Sequence, residues 1–156
     1  MEDVVWMVEG FPRPGALVEG MRVLDALSVP LLRGSLGVVF VWFGALKVSG
    51  ATPVADLVAS TVPWLAPGLL VAGLGVLEVL LGLALVAGRF LRVAAVLVMA
   101  HLGGTFLTLV VQPAVAFRAG NPLLLTLTGE FVVKNLVLFT AALVVLCAEL
   151  RRGGVR

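Results

Sequence analysis

The sequence has no tyrosine, one cysteine and one histidine, and only 13% of its 156 residues are charged. Each scarcity closes off a class of chemistry. A single cysteine, Cys147, excludes an intrachain disulfide and a CxxC redox pair. A single histidine, His101, excludes a bis-histidine haem within one chain. There is no Cys/His cluster with zinc or iron–sulfur spacing, no phosphate-binding P-loop and no GxGxxG. The basic-then-apolar pattern of a cleaved signal peptide is also missing, because Glu2, Asp3 and Glu9 occupy that region. No nucleic-acid partner is expected.

What the chain has in excess is hydrocarbon. Apolar residues make up 61% of it, with a mean hydropathy of +1.17. Soluble domains carry about 45–50% apolar and about 25% charged residues, and a domain this small cannot bury so much apolar surface from water. The composition therefore indicates an integral membrane protein.

Spanning a bilayer as a helix takes about 20 mostly apolar residues. Four segments qualify, at 30–48, 68–87, 93–111 and 125–148. Pro53, Pro63 and Pro67 punctuate the first loop, Gly88-Arg89 the second, and Pro113 with Gly120-Asn121-Pro122 the third. The polar/apolar alternation of a membrane barrel is absent from these segments. The expected fold class is all-α: a polytopic four-transmembrane-helix bundle. Arg13, Arg22 and Arg33 precede or begin the first span, Arg89 and Arg92 fill the second loop, and Arg151, Arg152 and Arg156 end the chain. The other two loops hold only Arg118, with Lys47 at the mouth of the first. By the positive-inside rule both termini are cytoplasmic, in an inner or plasma membrane.

Residues 1–28 read as a cytoplasmic tail, 29–150 as the bundle and 151–156 as a basic C-terminal tail. Within the first, Leu17, Met21, Leu24 and Leu27 share one helical face. That stretch is either a short interfacial helix or a partly ordered tail. Trp64, near the start of the second span, suits an interfacial anchor.

The ionisable residues inside the spans carry the functional argument. Glu78 lies about ten residues into the second span, roughly 15 Å deep. Lys134 lies about nine residues into the fourth from the same side, and His101 about eight into the third from the other. An unpaired charge at mid-membrane costs about 2.5–3.5 kcal/mol on insertion scales, so each predicts a partner. Glu130 stands one turn from Lys134 at i, i+4. The expectation is that Lys134 is shared by Glu78 and Glu130, with His101 beside them as a neutral donor and acceptor. Thr105 and Thr108 extend a polar stripe outward. Such a pair can also simply fix which helices are neighbours, and a lone histidine can bond a helix carbonyl. Glu130 also suits a first-turn position favoured by the helix dipole. Lys47 is expected to snorkel to the outer headgroups, and Cys147 to act as a small hydrophobe. Gly34, Gly37, Gly44, Gly73, Gly75 and Gly82 permit close backbone approach, and Gly103-Gly104 either does the same or leaves space for a flat ligand.

Three stretches in order, "RGSLGVVFVWFGALKV", "GLGVLEVLLGLALVAG" and "TLTGEFVVKNLVLFTAALVV", resemble the four-helix membrane proteins of the DoxX-like superfamily. Within it the likeness is closest to the DUF417 family, which includes the inner-membrane protein of bacterial reactive-chlorine resistance. Trp42, Gly44, Leu46 and Lys47 match its W-x-G-x-L-K, and Gly75, Glu78 and Gly82 its G-x-x-E-x-x-x-G. Lys134 and Asn135 match its lysine followed by a polar residue. The likeness spans roughly residues 32–145; the first loop is shorter here and the N-terminal extension is unusual. Relatives include a subunit linked to thiosulfate:quinone oxidoreduction and proteins of oxidative-stress complexes, so the resemblance implies a redox association.

The leading reading is a redox- or stress-associated membrane subunit that binds a quinone-like or lipidic ligand between the second, third and fourth helices. Glu78 or His101 exchanges protons there and Lys134 stabilises a developing anion. It is an accessory of a membrane oxidoreductase system more than a complete enzyme. No redox centre is encoded, so electrons come from a soluble or membrane oxidoreductase partner. A small transporter or proton-conducting bundle, and a structural anchor for a soluble oxidoreductase, are the rival readings.

Overall fold

The computed structural model describes residues 14–52 and 66–153. Trp64, residues 1–13 and residues 154–156 lie outside the described residues. The helices are α1 (Pro14–Val48), α2 (Pro67–Ala87), α3 (Leu91–Val111), the single turn α4 (Pro113–Ala116) and α5 (Leu127–Gly153). Four of them, all but α4, are long and apolar enough to cross a membrane. Among the described residues there is no strand, only an isolated bridge between Phe117 and Leu125. The fold is the all-α, four-span bundle that hydropathy indicates.

The spans α2 and α3 start within two residues of the positions that hydropathy gives. The other two run longer. α1 begins at Pro14 and passes through Pro30 without a break, so the stretch containing Met21 and Leu24 is one helix with the first span rather than a separate piece. Proline removes one backbone donor, and a helix otherwise well formed carries on past it. Packing within the chain begins only near Leu32; residues 18–28 are exposed. At the other terminus α5 continues to Gly153, so Arg151 and Arg152 close the helix instead of opening a tail. Cations there suit the negative end of the helix dipole.

Helix ends are set by local chemistry. Gly88, at φ 71°, ends α2, with Gly88 N–H donating to Leu85 O and Arg89 N–H to Ala84 O. This pair of bonds is the Schellman closure that a left-handed glycine permits. Thr126 starts α5: its hydroxyl accepts from Gly129 N–H at 3.1 Å and donates to Val115 O at 2.5 Å. One side chain thereby caps a helix and ties down the turn before it. We call the end carrying residues 112–126 the cap side, and the end carrying the α2–α3 turn and Gly153 the terminal side.

The four spans associate as two tight pairs. In the first, α1 and α2 run antiparallel with glycine against glycine. A Cβ on Gly44 would stand 2.6 Å from Gly75 O, and one on Gly82 would stand 2.6 Å from Gly37 O. Both partners repeat at seven residues, so two close approaches fall on one helix face. Gly34 and Gly73, grouped with them by sequence, have nothing within 4 Å and face away. In the second pair, α3 packs on α5, with Val98, Leu102, Ala142 and Val145 buried between the elements. The two pairs meet along a looser seam, where Phe43 of α1 sets its ring edge-on to Phe131 of α5, centroids 5.7 Å apart.

Candidate functional site at the seam

Glu78 lies one residue past the middle of α2, on the face turned toward the seam, and its side chain is 7% exposed. It is the buried carboxylate of the described residues, and its two oxygens are both engaged. Lys47 Nζ donates to Oε1 at 2.8 Å and to Oε2 at 2.6 Å. His101 Nε2 lies 2.6 Å from Oε1. An ionised carboxylate only accepts, so Nε2 carries the hydrogen of this contact. An acid from α2, an amine from α1 and an imidazole from α3 thus form one buried cluster. The bond from His101 to Glu78 joins the α1–α2 pair to the α3–α5 pair.

The lysine in this cluster is not the one that depth along the sequence selects. Lys134 does not reach Glu78; its side chain is 74% exposed and its ammonium lies 3.6 Å from Glu130 Oε2 on the outer face of α5. The face of α5 turned inward carries Asn135 and Val132, both buried, and Lys134, about 100° around the helix from Asn135, falls on the outer side. Lys134 points toward its own helix N-terminus, as a snorkelling lysine does. Lys47, expected to behave in that way, turns inward instead. Its stem crosses α2 at Gly75, where an added Cβ would sit 2.7 Å from Lys47 Cβ. Gly75 is one turn, roughly 4.5 Å, toward the cap side of Glu78, within reach of the four-carbon stem. Glycine at 75 is what makes room for that path.

Phe40, which sequence reasoning did not single out, supports the cluster from the terminal side. Its ring is buried and meets His101 edge-on, centroids 6.0 Å apart at 69°. The available signal was its spacing: Phe40 is seven residues before Lys47, two turns along the same face of α1. On the cap side, Thr105 accepts from Asn135 Nδ2 at 3.1 Å and donates to Leu102 O. A double-mutant cycle of Thr105→Ala with Asn135→Ala, followed by thermal unfolding in detergent, is expected to show a coupling of about 0.6 kcal/mol and no more than about 1.7 kcal/mol. Gly103 and Gly104 have nothing within 4 Å of an added Cβ, so neither is a close-packing position. Cys147 is exposed on α5.

The family model for DoxX matches residues 28–112. That is more than half of the 156-residue chain. The chain belongs to the DoxX family. No curated protein and no solved structure matches it. The matched DoxX region contains Lys47, Glu78 and His101 and stops before Glu130 and Lys134. With its four apolar spans, this DoxX-family protein is a multi-pass membrane protein.

The cluster offers two kinds of chemistry. The Lys47–Glu78 pair is neutral as a whole, which is what a low-dielectric site tolerates. His101 uses Nε2 on Glu78 and makes no hydrogen bond through Nδ1 to any described residue. In the neutral ring that nitrogen is an acceptor beside a fixed dipole, suited to a ligand donor.

Proposed function

We propose that this DoxX-family protein is a redox- or stress-associated subunit of the inner or plasma membrane that binds a quinone-like or lipidic ligand at His101. The observation that carries the reading is the unshared Nδ1 of a partly buried histidine whose other nitrogen is fixed by an ion-paired carboxylate. Such a ring is oriented in advance, which lowers the ordering cost of binding. A hydroxyl or protonated carbonyl of a flat headgroup has its partner in Nδ1. Gly104, one turn toward the cap side of His101, leaves open space where a ring can approach. Lys47 takes the electrostatic role first given to Lys134, since a cation within the cluster favours negative charge on a neighbouring ligand oxygen. Electrons are supplied by a partner oxidoreductase, and the DUF417-like motifs at Trp42–Lys47 and Gly75–Gly82 favour a stress-associated setting.

The test is labelling by a photoreactive ubiquinone analogue in membranes, with cross-linked residues mapped by mass spectrometry. Labels are expected within one turn of His101, with at least tenfold loss in His101→Ala and competition by unmodified quinone. Labelling that is unchanged in His101→Ala, or confined to lipid-facing residues away from the seam, refutes the reading.

A transmembrane conduction route fits the structure less well. Between Glu78 and the terminal side the core consists of Leu36, Leu81, Leu85, Leu91, Ala94 and Val98. Nothing polar among them can pass a proton onward.

A further inference from the structure

Polar and apolar groups are distributed unequally on the two sides of Glu78. Toward the terminal side the fully buried described residues are all hydrocarbon, with the half-buried Arg33 at the level of Gly88. Toward the cap side the buried polar residues are Thr108, Asn135 and Thr52, together with the half-buried Thr105. His101, Thr105 and Thr108 stand at i, i+4 and i+7 and so form one stripe along α3. Asn135 of α5 is bonded to the middle of it.

The atoms on this stripe are also incompletely used. His101 Nδ1, Thr108 Oγ1 and Asn135 Oδ1 form no hydrogen bond with the described residues. Buried polar atoms without partners are costly, and native structures rarely keep them dry. Yet among the described residues the one sealed, unpartnered side-chain polar atom is Arg33 Nε, near the middle of α1 and level with Gly88 on the terminal side of the cluster. None of the three atoms of the stripe is fully sealed within the chain. Water is the partner that satisfies all three, since each bridging water needs about two to four polar contacts.

We infer that a water-filled half-channel runs from the cap side along His101, Thr105, Thr108 and Asn135 to the Lys47–Glu78–His101 cluster and ends there. Protons and small polar solutes reach the cluster from one face of the membrane only. The charged groups facing His101 are Lys47 from α1 and Glu78 from α2. α5 contributes the neutral Asn135, because Glu130 and Lys134 lie on its outer face. The half-channel serves the site proposed for the quinone-like ligand and takes only its location from that reading.

Two measurements on the full-length protein in lipid vesicles test it, neither using a quinone. His101 is the only histidine, so hydrogen–deuterium exchange at its ring C2 reads wetting in the unaltered chain. Exchange is expected within tenfold of a free imidazole at the same pH; absence of exchange overturns the half-channel. For sidedness, single cysteines are placed at Thr108→Cys, His101→Cys and Val98→Cys in a Cys147→Ala background, in vesicles of one orientation. A charged, impermeant methanethiosulfonate is expected to modify Thr108→Cys and His101→Cys at least tenfold faster from the cap side. Val98→Cys is expected to resist it from both sides. Equal rates from the two sides, modification of Val98→Cys, or reaction only with the lipid-permeant N-ethylmaleimide refutes the inference. If His101→Cys does not fold, Thr108→Cys, a change of similar volume, decides sidedness alone. Failure of quinone labelling with exchange intact removes the ligand and leaves the channel; the reverse result removes the channel alone.

Discussion

Substituting Glu78 by alanine is expected to destabilise the protein by about 3–5 kcal/mol, the range seen when one partner of a buried ion pair is removed. The loss comes less from the missing attraction than from the stranded amine. Lys47, its side chain 10% exposed and its stem wedged over Gly75, has no other acidic partner among the described residues. It must swing out to the headgroups or lose its proton, and both undo the packing of α1 on α2. Replacing both charges with hydrocarbon, Lys47→Met with Glu78→Leu, is expected to restore most of the stability, because both desolvation penalties vanish together. The rescued protein still loses any function that needs the cluster, which separates architecture from chemistry. Lys134→Met, on the exposed face of α5, is expected to stay within about 0.5 kcal/mol of the parent. Thermal unfolding in detergent, read beside the amount of folded protein in membranes, ranks all four chains.

The second large effect belongs to the glycines. Alanine at Gly44 or Gly82 is expected to cost about 1–3 kcal/mol or more, since an extra methyl there meets backbone atoms, which cannot rotate away as a flexible side chain would. At Gly82 the obstacles are Gly37 O and Val41 N, both at 2.7 Å or less. Gly75→Ala adds a second fault, because its methyl occupies the path of the Lys47 stem. The same substitution at Gly34 or Gly73 meets nothing within 4 Å, and the helix preference for alanine there is worth up to about 1 kcal/mol of added stability. Cysteine cross-linking between α1 and α2, with unfolding temperature, checks both halves. If Gly73→Ala proves as harmful as Gly82→Ala, the proposed α1–α2 register is wrong.

The spans, their number and the depth of Glu78 and His101 could be read from composition because bilayer thickness translates length into position. Which face each residue occupies could not be read in the same way. Depth along the sequence puts Lys134 level with Glu78 and Lys47 near the surface. The side chains reverse this. Lys134 sits about 100° around the helix from Asn135, and with Val132 and Asn135 turned inward it falls on the outer face. Lys47 has a stem long enough to descend a turn, and the residue that lets it do so is on another helix. The paired seven-residue spacing of Gly37 with Gly44 and Gly75 with Gly82 was the signal. Antiparallel alignment of those glycines puts Lys47 beside Gly75, one turn from Glu78. The extended α1 was hidden for another reason: Pro30 reads as a helix start, whereas a helix already propagating passes through it.

That Lys47 and Glu78 reside on the first two spans bears on how the chain is made. A carboxylate entering the lipid alone carries a penalty of about 2.5–3.5 kcal/mol. Here the opposite charge has been synthesised beforehand, and the glycine faces bring it alongside as soon as the second span leaves the translocon. Neutralisation need not await the C-terminal half of the protein, because both members of the pair lie on the first two spans.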